Sequence, residues 1–202
     1  MQSVGIVSEA EMVAIFLQAE INSPRFQDRI LPVLQRDGLD RRIIDHPDFM
    51  NSRENACRKQ LLGESRGYQR DKRLFRSFPN DVQWERVILT YKDLAAVKYI
   101  NYPDWIDLSG GSRKVLDAVG QICQGAEVEG QRNRHFWEAA EAVQRGERLP
   151  EMIFIRSTVE SELIVLEGHL RVSAYLLVPE YLPEKLTALV GTSAKIVNWR
   201  FY

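Results

Sequence analysis

Apolar residues recur at Met12, Ile15, Phe16 and Ala19, the i, i+3, i+4, i+7 spacing that lays one stripe of a helix against a core. Just upstream, Ser8 and Glu11 have the spacing of a capping box, so this helix is predicted to start there. Ser23-Pro24 predicts a second helix, with Ser as N-cap and Pro at the first helical position. Phe26, Ile30, Val33 and Leu34 would line its apolar face, and Gly38 would end it in the left-handed conformation. Ser52 is the predicted cap of a third helix running to Gly63. Residues 1–81 therefore read as a mostly helical region.

The period changes near Val82. Residues 82–91 alternate and are rich in β-branched and aromatic side chains, which predicts a strand, and Thr90 with Asp93 then starts a short helix through Val97. A polar loop, Ser109-Gly110-Gly111-Ser112, leads into a helix carrying Val115, Val119 and Ile122 and closed by Gly125. A further helix spans about 133–145, with Phe136, Ala140 and Val143 on one face and Gly146 as its stop. Two short apolar runs, 152–155 and 163–166, predict buried strands either side of a turn. Glu167-Gly168-His169 interrupts the pattern, 170–178 reads as a helix ended by Pro179, and 186–190 and 196–199 read as closing strands. The fold class is α+β: a helical N-terminal region packed on a mixed β-sheet with helices. With no repeat or flexible linker between them, 1–81 and 82–202 are expected to form one compact unit.

Composition narrows the class without naming a chemistry. Hydrophobic residues make up 45% of the 202 and charged residues 27%, a globular balance that excludes a disordered or fibrous chain. The net charge of −1 gives no global attraction to nucleic acid or to an anionic membrane. No apolar run approaches the roughly 18 residues of a membrane span, and the first residues lack a basic and an apolar leader region. Cys57 and Cys123 stand far apart with no CxxC pairing, as free thiols of a reducing cytoplasm would.

The sharpest chemical feature is Glu167-Gly168-His169-Leu170-Arg171 between a predicted strand and a predicted helix. Glycine at that turn allows close approach of a ligand, and the free amides and dipole of a helix start attract anions. His169 and Arg171 can add charge-assisted hydrogen bonds to phosphate, while Glu167 at the strand end can act as a base or hold a metal ion on the phosphates. The competing reading makes Gly168 a tight turn, His169 a helix cap and Arg171 a solvated surface residue.

Leu149-Pro150-x-Met152-Ile-Phe-Ile, followed by Leu163-Ile-Val-Leu-Glu-Gly-His-Leu-Arg-Val-Ser-Ala-Tyr175, resembles the core of the ParB/sulfiredoxin superfamily. The resemblance covers about residues 134–190, and the helical N-terminal half is similar to that of uncharacterised bacterial proteins. It implies a ParB/sulfiredoxin-like sheet in which the acidic-Gly-x-x-Arg motif grips nucleotide phosphates. Free serine kinases of that superfamily are the most similar in local wording, with Glu167, Gly168, His169 and Arg171 at matching positions and Leu170 in place of a histidine. The turn carries no sulfiredoxin cysteine, and the double Arg of the partition proteins is absent. The resemblance thus implies a nucleoside triphosphate with Mg²⁺ as ligand, and phosphotransfer or nucleotide hydrolysis as chemistry, with Glu167 and His169 catalytic. The alternative is a non-catalytic module binding protein or nucleic acid.

Two further features bear on the chemistry. Ser112 and Arg113, leaving the Gly/Ser loop, would supply the other side of a phosphate pocket, although the loop lacks a P-loop pattern; the bland reading is a turn with Ser112 as cap. Between Arg53 and Arg76, eight cations face three carboxylates, with Tyr68 and Phe75 inside the segment and Phe78 just beyond it. Such a stretch can follow a nucleic-acid backbone, but a solvated face over core aromatics is the favoured reading, since residues 101–202 are net negative. His46 and His135 have no metal-ligand spacing to another His or Cys, so no metal site is expected from them. Trp84, Trp105, Trp137 and Trp199 are expected core anchors.

Overall fold

The fully buried run Met152–Arg156 lies inside a five-stranded mixed sheet in the computed structural model, which describes residues 1–128 and 132–202. The strands are β1 (Gln2–Val7), β2 (Gln83–Leu89), β3 (Met152–Arg156), β4 (Ile164–Glu167) and β5 (Leu186–Thr192), in the order β1-β2-β5-β3-β4. β3 and β5 run parallel, with Phe154 opposite Val190; the other pairs are antiparallel. A strand buried on both faces needs apolar side chains at every position rather than at alternate ones, which is what Met152 to Ile155 provide.

The helices are α1 (Glu9–Ile21), α2 (Gln27–Arg36), α3 (Arg42–Asp45), α4 (Ser52–Arg66), α5 (Tyr91–Ala95), α6 (Pro103–Leu108), α7 (Val115–Ile122), α8 (Asn133–Gln144) and α9 (His169–Leu177). α9 is the crossover that returns the chain from β4 to β5, and it packs against α7 and α8. α1 packs on α2, α3 and α4, burying Met12, Val13, Phe16 and Leu17. An α+β class is therefore correct, as are the two capping boxes: Ser8 N–H donates to Glu11 Oε2 at 2.9 Å, and Thr90 N–H to Asp93 Oδ2 at 2.8 Å. Gly38, at φ 61°, closes α2 while Leu39 N–H reaches back to the Leu34 carbonyl at 2.9 Å.

Five local expectations are corrected. Ser23-Pro24 forms a turn in which the Ser23 carbonyl accepts from Phe26 and Gln27 N–H, so α2 begins three residues later than the Pro signal. The cap of α4 is Asn51, whose Oδ1 accepts from Arg53 and Glu54 N–H, and Ser52 is the first helical residue. Gly63 does not end that helix. It is a packing position, because a Cβ there would lie 2.9 Å from Arg70 Nε and 3.1 Å from the Tyr68 carbonyl. The predicted strand at 196–199 is a 3₁₀ turn over Ala194–Asn198, started by Ser193 Oγ and pinned where Trp199 Nε1 donates to the Leu74 carbonyl at 2.7 Å. Finally, the mostly helical N-terminal region also supplies β1, an edge strand of the sheet; five of its six residues are exposed, so its sequence carries little burial pattern.

Candidate functional site

The chain leaves β4 at Glu167, turns through Gly168 at φ 103°, and enters α9. Glycine is required twice over. The dihedral is left-handed, and a Cβ would sit 2.9 Å from both Arg171 Nη2 and Met152 Cγ. Arg171 uses that vacancy to fold back over the turn and meet Glu167, Nη2 to Oε1 at 3.2 Å. Arg171 is 8% exposed, and its Nε has no hydrogen-bond partner. No side chain caps α9, so the amides of its first turn have none of the usual protection.

His169 opens the helix. Its ring lies nearly parallel to Trp105 (centroids 4.9 Å apart) and to Tyr99 (5.9 Å). The Tyr99 hydroxyl is 2.6 Å from Ser173 Oγ, which in turn donates to the His169 carbonyl at 2.8 Å. The residue keeps some surface, but its Nε2 is shut off from solvent and unpartnered. Burial, with smaller contributions from Arg66, Arg25 and Arg171, pushes the imidazole down to about 3. His169 is therefore neutral near pH 7 and cannot supply the positive charge expected of it; what it offers is a ring nitrogen.

The helical region closes the other side. Glu20, in the last turn of α1, is 1% exposed; Arg66, in the last turn of α4, brings Nε to 3.1 Å from its Oε1. Neither oxygen of Glu20 has a hydrogen bond, and Ser65 Oγ is equally without a partner. Burial raises the Glu20 carboxyl to about 8; Arg66 opposes this most strongly, and Glu167 adds to it. The guanidinium groups of Arg66, Arg25 and Arg29 gather over the ring of Phe26, at 4.5, 5.5 and 5.5 Å from its centroid. A groove of about 560 Å³ lined by Arg29, Val33, Glu64 and Arg73 opens beside them. Four arginines and a neutral histidine thus surround two carboxylates at the start of a helix, with buried polar atoms on α1, α4 and α9 left unpartnered.

Of the residues singled out in sequence, Glu167, Gly168, His169 and Arg171 come together here. Ser112 and Arg113 are engaged with main chain instead: Arg113 Nε and Nη2 donate to the Tyr99 carbonyl (3.0 and 2.8 Å), and Nη1 to the Tyr202 carbonyl (3.2 Å). Ser112 Oγ donates to the Ser109 carbonyl and accepts from Lys114 N–H. The Arg53–Arg76 stretch is divided. Arg58 is wholly buried and holds the Ile43 and Asp48 carbonyls, Arg73 caps the end of α4, and Arg66 joins the site. Tyr68 and Phe75 are core residues packed edge to face.

Among the described residues no three His, Cys, Asp or Glu side chains converge to hold a metal ion, and no helix is long and apolar enough to cross a membrane. Compared with protein-family models, with curated proteins and with solved structures, the chain matches none.

Glu20 is the carboxylate of this cluster that the sequence reading does not single out. It stands four residues after Phe16 and eight after Met12, on the very stripe that α1 buries. A carboxylate on a buried stripe is a signal, because burying it costs free energy unless a partner or ligand compensates.

Proposed function

We propose that the protein binds a phosphate-bearing ligand, a nucleoside triphosphate, at the start of α9. One observation carries this reading: Arg171 Nε and His169 Nε2 are buried without partners beside an uncapped helix N-terminus, with Arg66 and Arg25 close enough to act on the imidazole. Buried polar atoms left unmade cost about 1–3 kcal/mol each, so their clustering is the mark of a missing partner rich in acceptors. Phosphate oxygens are such acceptors, and first-turn amides with guanidinium groups are their usual donors. On binding, Arg171 would exchange part of its contact with Glu167 for phosphate. With no three-ligand metal cluster among the described residues, Mg²⁺ would enter with the phosphates rather than wait in a cage.

Phosphotransfer or nucleotide hydrolysis is the catalytic form of this proposal, with Glu167 as base. Glu167 keeps 16% of its side-chain surface, so it can meet a substrate hydroxyl or water. The non-catalytic form has its own support, since His169 is locked in an aromatic stack and Glu167 is already held by Arg171.

A thermal-shift titration with ATP, with and without Mg²⁺, tests the binding. A ligand at 100 times its Kd stabilises the folded state by about 2.7 kcal/mol. Arg25→Gln with Arg29→Gln, both exposed positions, should weaken the shift, and Arg171→Gln should abolish it. A shift unchanged in all these variants would put the ligand elsewhere.

A further inference from the structure

Glu20 is the one carboxylate of the cluster sealed from water, and its surroundings explain what it would do when an anion arrives. From α4 it meets Arg66 at 3.1 Å; the charges of Glu167 on β4, Arg29 on α2 and Arg171 on α9 also act on it. His169 lies under the influence of the same Arg66 and Arg171. α3, the other element packed on α1, is occupied nearer the surface, where Gln18 Nε2 donates to the Ile44 carbonyl and Arg41 Nη2 to Asn22 Oδ1. Glu20 thus shares its paired cation, Arg66, and the charge of Arg171 with the proposed phosphate site, and it has no hydrogen bond of its own to fall back on.

We propose that Glu20 couples anion binding at the α9 start to uptake of a proton: the ligand takes Arg66 and Arg171, and Glu20 stays in the bound state as the neutral carboxylic acid. This rests on the phosphate-binding reading above and adds its regulation. The chemistry is a single protonation, Glu20–COO⁻ plus H⁺ giving Glu20–COOH, with the proton drawn from solvent. Two physical effects drive it. An incoming polyanion repels a buried carboxylate across a low-dielectric gap, and losing a share of Arg66 removes the main charge that favours its ionised form. The neutral acid, in turn, becomes a hydrogen-bond donor that the ionised form cannot be. The free carboxyl already titrates at about 8. Binding is therefore insensitive to Glu20 below that pH and weakens above it, by about tenfold per pH unit when one proton is taken up. A rise in pH would release the ligand.

The test is ATP affinity measured calorimetrically between about pH 7.5 and about pH 9.5, above the last ionisation of the triphosphate, on wild type and Glu20→Gln. The expected result is affinity that falls above about pH 8 in wild type and is level in Glu20→Gln, which then binds tighter than wild type at the alkaline end. A second measurement needs no variant: wild-type binding heats at about pH 8.5, taken in buffers of different ionisation enthalpy, should report about three-quarters of a proton taken up, the share of Glu20 ionised in the free protein at that pH. ATP binding that is lost in Arg171→Gln but shows no proton uptake, or the same pH profile in Glu20→Gln, would overturn the coupling and leave the phosphate site standing. Absence of ATP binding at every pH would overturn the site and the coupling with it.

Discussion

Arg171 reaches Glu167 across the bare Cα of Gly168, guanidinium to carboxylate at 3.2 Å, so that a residue on the helix is tied to the strand that precedes it. The pair is nearly buried, with 10% and 16% of the two side-chain surfaces exposed. It fixes the direction in which α9 leaves the sheet, and it fixes the place where an anion would compete for Arg171. Structure and proposed binding therefore depend on the same three residues.

Gly168→Ala should be among the most damaging single changes in the chain. The left-handed dihedral costs a residue with a Cβ about 1–2 kcal/mol. The added methyl must also displace Arg171 Nη2 and Met152 Cγ, each 2.9 Å away. Urea unfolding should show a loss of at least about 2 kcal/mol, together with loss of any ATP-dependent thermal shift. A loss below about 0.5 kcal/mol would mean that the turn is not held as described.

Glu167→Gln separates catalysis from binding. The amide keeps the shape of the carboxylate and can still accept from Arg171, but it cannot take a proton. In an ATP-consuming enzyme with Glu167 as base, nucleotide binding should persist while product formation falls by at least about 10²-fold. In a binding module the same change should leave affinity equal or higher, since a charge repelling phosphate is gone, and wild type should show no turnover. Full turnover in Glu167→Gln would remove Glu167 from the catalytic role.

His169 and Glu20 bend stability with pH in opposite senses. The imidazole is held down to about 3 from its ordinary 6.5, so the stability it contributes is present above 6.5 and lost as pH falls toward 3. His169→Phe, which preserves the stack on Trp105, should flatten the acid side of a Tm–pH curve over that window. The Glu20 carboxyl is raised from 4.5 to about 8, so its contribution is complete below 4.5 and lost as pH rises to about 8. Glu20→Gln should therefore match wild type near pH 4.5 and exceed it near pH 8.5. Parallel Tm–pH curves for either variant and wild type would contradict its assigned protonation.

How much of this was legible depended on how local the determining interactions are. The capping boxes at Ser8/Glu11 and Thr90/Asp93 are contained within four residues and were readable directly. So was the strand–Gly168–helix turn, because its left-handed dihedral is local; the Glu167–Arg171 pair was not, since the sequence offers Arg171 to phosphate or to solvent alone. Gly63 reads as a terminator because the groups packed against it, the Tyr68 carbonyl and Arg70, lie past the end of α4 and return to it only through the turn at Gly67. Trp199 looked like a strand residue for a similar reason: its hydrogen bond goes to Leu74, 125 positions away. The site divides along the same line. The motif residues share one turn, whereas Glu20, Arg29 and Arg66 on the N-terminal helices, and Arg25 in the turn between α1 and α2, come near it only through tertiary packing.

The Arg53–Arg76 stretch gives the last prediction, and its argument is geometric. Binding of a single strand independent of sequence needs aromatic faces open to bases and cations free to follow the backbone. Here Tyr68 and Phe75 are 7% and 2% exposed and pack edge to face, so two of the three aromatics cannot meet a base without unfolding. Arg58 is buried on main-chain carbonyls, Arg66 faces Glu20, and Arg70 is paired with Glu64. That leaves mostly phosphate contacts through the remaining exposed cations, whose attraction falls steeply as salt rises. A fluorescently labelled oligonucleotide should therefore show weak binding in dilute buffer that fades by about 0.15 M salt, with no submicromolar affinity there. Submicromolar binding at that ionic strength, weakened by Arg70→Gln with Arg76→Gln, would make this surface a nucleic-acid interface after all.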